Sequence, residues 1–199
     1  MLKIQNLKKS FKGNIVINNL NLHLKQGELI HIKGSNGSGK STLLKVISGL
    51  LEADEGSISK EPGLKIGALI ENPSFIENET AVSNLKFLYN LTGRYDEEHV
   101  KTLFEQFNLD YNSTIKISKY SIGMRQKVGI IQAIMENQDL ILLDEPTRGL
   151  DEDSICEFNK IINNYITTGK SILICAHDGV DGIHFNKVYR LIHGQLELV

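Results

Sequence analysis

Ile32–Ile47 reads IKGSNGSGKSTLLKVI, with three glycines between two apolar runs and Lys40, Ser41 and Thr42 at the far end of the glycine stretch. After proline, glycine is the poorest residue for the interior of a strand or a helix. Its concentration here marks a loop whose backbone has to curl. Gly34, Ser35, Asn36, Gly37, Ser38, Gly39, Lys40 and Ser41 fit the pattern G-x-x-x-x-G-K-[ST]. In that pattern successive N–H groups turn inward onto phosphate oxygens, and the helix that follows points its positive end at the same anion. Lys40 then bridges the β- and γ-phosphates and the Ser41 hydroxyl holds Mg2+. A glycine-rich turn with a chance lysine is the plainer alternative, and the strand before and helix after weigh against it.

Outward from this loop, hydrophobic period organises the chain. Residues 1–33 hold the strand-like runs LKIQNL, NIVINNLNLHL and GELIHIKG, joined by polar turns at Lys12–Asn14 and Lys25–Gly27. STLLKVISGLLE has helical spacing, with its stop expected near Gly56, and KIGALI reads as a further strand. AVSNLKFLYNL, DEEHVKTLFEQF and SIGMRQKVGIIQAIMEN read as helices. Then follow DLILLDEP as an apolar strand, EDSICEFNKIINNYITTG as an amphipathic helix, SILICAHD as a strand, and a hairpin around His193-Gly194. Alternating strands and helices predict an α/β fold with a mostly parallel core sheet and an N-terminal antiparallel β subdomain. Residues 1–73 and 137–199 form the core, and 74–136 a helical insertion, within one domain over 1–199.

The second chemical signal is DLILLDEPTRGLD, 139–151. An apolar strand that ends in Asp144 puts a carboxylate at the sheet edge where the phosphate loop also lies. Asp144 can reach a metal directly or through water. Glu145 faces the other way, since adjacent strand residues alternate, and either orients or deprotonates an attacking water. Ser121 is placed to cap the helix IGMRQKVGIIQAIMEN, whose Met124, Val128, Ile131 and Met135 share one face. A capped helix end is a second anion site. Whether it serves the nucleotide of its own chain or that of another is open at this level.

With these motifs in order, the chain resembles the nucleotide-binding subunits of ABC transporters over nearly its whole length. YSIGMRQ, 120–126, is similar to the family's signature motif, matching at Ser121 and Gly123 and departing from it at Ile122 and Met124. Gly149–Asp151 resembles its D-loop and His177 its switch histidine. Phe11 stands where an aromatic residue stacks on adenine. The resemblance implies that ATP is bound by Phe11, Gly34–Thr42, Ser121 and Gly123, with Glu145 and His177 catalytic and Mg2+ held by Ser41 and Asp144. It implies a head-to-tail dimer, homo- or heteromeric, with each ATP between one chain's phosphate loop and the other's signature. A transmembrane permease is the implied partner, and it holds the ATPase on the cytoplasmic face of the cell membrane. Glu71, in IENPSF, replaces the family's usual glutamine and is expected to ligand Mg2+ or polarise water. That variant is similar to the ATPases of bacitracin- and lantibiotic-type exporters, which implies a peptide-antibiotic or related amphipathic cargo.

Composition narrows the alternatives. Lys plus Arg total 22 against 24 Asp plus Glu, a net charge of −2, so no basic footprint for nucleic acid is expected. A soluble ABC ATPase acting on nucleic acid or ribosomes is the competing class, and it usually carries two cassettes or long coiled-coil heptads. A small-molecule kinase is disfavoured by Glu145 and the signature. Two cysteines, Cys156 and Cys175, lack metal-ligand spacing and read as reduced thiols. The N-terminus lacks a signal-peptide apolar core, and no apolar run nears the ~20 residues of a membrane span, so a soluble chain is expected. His31, His99, His184 and His193 show no ligand spacing and read as surface or hairpin residues. Pro73, Phe75 and Ile76 are expected to be exposed as a contact surface for the permease.

Overall fold

A computed structural model describes residues 1–199. β1 (Leu2–Phe11) and β2 (Asn14–Leu24) form a hairpin, and β4 (Glu55–Lys60) pairs with the other edge of β1, giving an antiparallel sheet in the order β2-β1-β4. The main sheet joins β3 (Leu29–Lys33), β5 (Ile66–Leu69), β6 (Leu140–Asp144), β7 (Ser171–Cys175), β8 (Lys187–Ile192) and β9 (Gln195–Leu198). Its order is β5-β6-β7-β3-β8-β9, parallel except for the closing β8–β9 hairpin. The expected fold class is the one observed.

Strand period decides what each face of this sheet covers. Along β6, Leu140 and Leu142 pack into one apolar cluster with α1 (Lys40–Ser48) and the antiparallel sheet. Ile141 and Leu143 point the other way, into a cluster built on α2 (Ala81–Thr92), α3 (Glu97–Gln106), α4 (Ile122–Ile134) and α5 (Glu152–Thr167). Both faces are covered, so the strand reads as a continuous apolar run. Each such side chain withdrawn from water is worth ~1.5–3 kcal/mol. α4 lies directly against β5 and β6, so the helix that begins at the signature is anchored on the main sheet.

Four readings need correction. The helix after the phosphate loop stops at Ser48, where Gly49 takes φ 87 and its N–H bonds the carbonyls of Lys45 and Val46. Past this cap the chain turns into β4, which the sequence did not announce because only Ile58 in EGSISK is even partly buried. What fixes β4 is polar: Asp54 takes hydrogen bonds from the Lys9 ammonium and from the Ser10 N–H and hydroxyl, at 2.6–2.7 Å. His31 is not at the surface but buried in the central strand β3. Of the expected contact residues Ile76 is exposed, whereas Pro73 and Phe75 are half-buried, Phe75 with the Arg125 guanidinium 5.6 Å from its ring centre.

Candidate active site

Register brings the separated motifs to one edge. Ile32 pairs with Cys175, Cys175 with Asp144, and Leu143 with Leu69, so four parallel strands end at nearly one level. The phosphate loop leaves β3, Glu71 follows β5, Asp144 and Glu145 close β6, and His177 follows β7. The carboxyl ends of parallel strands are where such sheets hold ligands. Asp144 shares the face of Leu140 and Leu142, which is the face covered by α1, so strand parity alone aims it at the phosphate loop.

The loop is pre-formed. Gly39 caps α1 at φ 105, and a β-carbon there would lie 2.9 Å from the Val16 side chain, so any other residue would be strained and would have to displace Val16. Lys40 is buried, its ammonium curled back to donate to the Gly34 carbonyl at 2.7 Å and the Ser35 carbonyl at 3.3 Å. It also forms an ion pair with Glu145 Oε1 at 3.3 Å. Glu145 is hydrogen-bonded at every polar atom but one, and that one faces the Lys40 ammonium. Its N–H donates to the Cys175 carbonyl at 2.7 Å, and its C=O accepts from Gln126 Nε2 at 3.1 Å and from the Arg148 N–H. Oε2 accepts from the His177 N–H at 3.1 Å, and Oε1 is buried without a hydrogen bond. The residue sits at φ 45, a left-handed conformation unfavourable for a glutamate. Such strain persists only where the surroundings over-determine it, which is common at active sites.

Asp144 is 5% exposed, and burial pushes its pKa above the ordinary carboxylate range, opposed by the neighbouring Ser41 hydroxyl. Its Oδ1 is buried with no partner. A hydroxyl and a carboxylate with an orphaned oxygen, facing a phosphate loop, are the hard oxygen donors that Mg2+ takes when phosphates supply other ligands. These residues fit the metal. Glu71, at φ 60, forms an ion pair with Lys45 of α1 at 2.5 Å and is more than half exposed. It faces the same cleft, of about 510 Å3, as Phe11, Gly37, Lys40, Ser41, Thr42, Asp144 and Glu145. Phe11 is 43% exposed there, with the Lys9 ammonium 5.5 Å from its ring centre. His177 projects beyond this cleft into a second one of about 900 Å3 on the other flank of the loop, and its Nδ1 lies 2.8 Å from Asp178.

Ser121 and Gly123 lie apart from both. With Lys127, Gly149 and Asp151 they line a third groove of about 390 Å3 that shares no residue with the phosphate-loop clefts. The Ser121 hydroxyl caps α4 by accepting from the Met124 N–H at 3.2 Å, as expected from the sequence. A β-carbon on Gly123 would come within 2.5 Å of the Gly149 carbonyl, so the signature turn and the D-loop turn touch backbone to backbone. Sequence reasoning missed Gln126, which is buried and clamps the turn after β6 through the carbonyls of Glu145 and Pro146. It also missed Lys45, whose signal was its α1 position one turn past Ser41.

Known proteins resemble this chain in sequence and in fold. The family model described as ABC transporter matches residues 17–148. The chain is 35% identical over 184 residues to the lantibiotic transport ATP-binding protein SrtF of Streptococcus pyogenes, covering 89% of this chain and 80% of that protein. It is 32% identical to the bacitracin transport ATP-binding protein BcrA of Enterococcus faecalis, over 89% of this chain and 61% of that one. The dimeric, post-hydrolysis structure of the ATP-binding cassette MJ0796, bound to ADP and Pi, superposes with a TM-score of 0.84 at 25% identity. The match covers 99% of this chain and 97% of that one. This chain is therefore an ATP-binding, ATP-hydrolysing subunit of the ABC transporter family.

Proposed function

We propose that this subunit powers export of a peptide antibiotic or related amphipathic compound through a separate transmembrane permease, which holds it on the cytoplasmic face of the membrane. The names of SrtF and BcrA support that cargo class and favour transport over action on nucleic acid. No helix is long and apolar enough to cross a membrane, so the translocation path has to come from another chain or segment. Two copies, or this chain and a related one, close head to tail so that each ATP lies between one P-loop and the partner's signature. The observation that carries the reading is the convergence of Lys40, Ser41, Asp144 and Glu145 on one cleft.

In this reading Gly34–Thr42 cradle the phosphates, Lys40 exchanges Glu145 for phosphate oxygens, and Phe11 stacks on the base. Ser41 and Asp144 hold Mg2+, with Glu71 as a further oxygen donor toward metal or water. The metal, when bound, neutralises charge that develops on the phosphates. Glu145 Oε1 accepts the proton of, or orients, the attacking water, and His177 contacts the γ-phosphate from the far flank. Glu145→Gln tests the assignment, because an amide cannot accept that proton. ATP binding should stay within about twofold, turnover should fall at least ~100-fold, and the ATP-bound dimer should persist on a sizing column. Wild-type turnover in the variant removes Glu145 from the chemistry. Recovery of the chain with membranes only when its permease is co-expressed tests the transport half.

A further inference from the structure

Beneath the site lies an imidazole that takes no part in the chemistry proposed for ATP hydrolysis. His31, at the middle of β3, is 2% exposed and stacks on Phe185 with ring centres 4.7 Å apart. Its Nε2 lies 3.0 Å from the Ala176 carbonyl oxygen. A carbonyl can only accept, so Nε2 carries the proton and donates. Burial lowers the ring's pKa, in keeping with a neutral imidazole protonated at Nε2 alone.

The Ala176 carbonyl and the His177 N–H are two ends of one planar peptide unit. The N–H end is the group that donates to Glu145 Oε2 at 3.1 Å. β7 ends at Cys175, so this peptide has left the ladder and both of its polar ends are held by side chains. Donation to the carbonyl also polarises the amide and strengthens its N–H as a donor. With Oε2 fixed in this way, Oε1 is the carboxylate oxygen without a hydrogen bond; it faces the Lys40 ammonium at 3.3 Å, and both residues line the nucleotide cleft.

We propose that His31 is a positioning residue for ATP hydrolysis: its Nε2–H anchors the 176–177 peptide, which in turn holds the Glu145 carboxylate with Oε1 presented to the nucleotide cleft. This rests on the reading of Glu145 as the group that handles the attacking water. His31 lines neither phosphate-loop cleft and acts only through the peptide.

His31→Phe keeps a ring against Phe185 and deletes the donor, whereas His31→Gln keeps an N–H able to reach the carbonyl. In the full chain, His31→Phe should lower kcat for MgATP roughly tenfold with KM within about twofold, and His31→Gln should recover most of the loss. Wild-type kcat in His31→Phe overturns the proposal. So does His31→Gln as slow as His31→Phe, or a kcat loss matched by loss of nucleotide affinity, since each marks a packing role. Should His31→Phe fail to fold, nitrogen-15 spectra of the wild-type imidazole decide: a protonated Nε2 with bare Nδ1 supports the relay, and the opposite tautomer overturns it. Glu145→Gln run in parallel separates the two readings. If it is inactive while His31→Phe is fully active, only the role of His31 fails; if it is active, the role of Glu145 fails first.

Discussion

Asp144 ends a strand whose other four residues are apolar, and its carboxyl is almost sealed from water. Burial raises its folded pKa above the unfolded one, so the folded state binds the proton more tightly. The sign follows: this group favours folding at acid pH, and that contribution is lost as pH rises through the raised folded pKa. At neutral pH the ionised carboxylate therefore costs stability, which Lys40 and Ser41 offset only in part. Asp144→Asn removes the charge and keeps the shape. Its Tm at pH 7 should exceed that of wild type by a few degrees, ~3 °C for each 1 kcal/mol in a chain of this size. The gap should shrink at a pH near ~4, where the wild-type group also takes its proton. Hydrolysis in Mg2+ should be lost. Calorimetry at the two pH values checks the sign, and an Asn variant less stable at pH 7 would show that the carboxylate is well solvated there.

At the scale of elements, the signature turn depends on a glycine that lets two loops touch. Gly123→Ala places a β-carbon 2.5 Å from the Gly149 carbonyl, and rigid backbone on both sides cannot give way cheaply. Overpacking of this kind costs ~1–3 kcal/mol, or displaces the turn instead. Nucleotide affinity at the P-loop should stay within about twofold, because the two grooves share no lining residue, while turnover falls roughly tenfold. Titration and steady-state assays on one preparation check both halves. The glycines of the phosphate loop, the apolar run of β6 and the cap at Ser121 were legible in the sequence because each is set by neighbours a few positions away. β4 was not, since its fixing contacts come from Lys9 and Ser10, more than forty positions away. The helix before it looked longer than it is because Leu50 and Leu51 continue the apolar period past the Gly49 cap, with Leu50 exposed. His31 was misread for the same reason as β4. A lone histidine between isoleucines says nothing of the carbonyl it meets across the sheet, 145 positions on.

For the whole molecule the open question is which chain Ser121 serves. The strand order brings P-loop, Glu71, Asp144, Glu145 and His177 to one sheet edge but leaves the signature groove elsewhere on the surface. Two separate grooves on one chain suit a head-to-tail pair, in which each chain lends its signature to the other's nucleotide. Ser121→Ala should then leave ATP binding to the single chain nearly intact while closed-dimer formation and hydrolysis fall, because its hydroxyl reaches the γ-phosphate only on closure. Mixing makes the test sharper. A dimer of one Lys40→Ala chain with one Ser121→Ala chain carries both lesions in one composite site, and the other site is intact. Random pairing puts about half of the chains into mixed dimers with one sound site of two, so roughly a quarter of wild-type turnover should return if sites fire singly. A signature that served its own chain's ATP would leave every chain in the mixture broken, and turnover would stay at the mean of the two parents. Closure of the mixed dimer, followed by sizing in ATP, separates that outcome from a pair of sites that must fire together. Closure without turnover marks coupled firing, and neither closure nor turnover, with both chains folded, counts against exchange of signatures between chains.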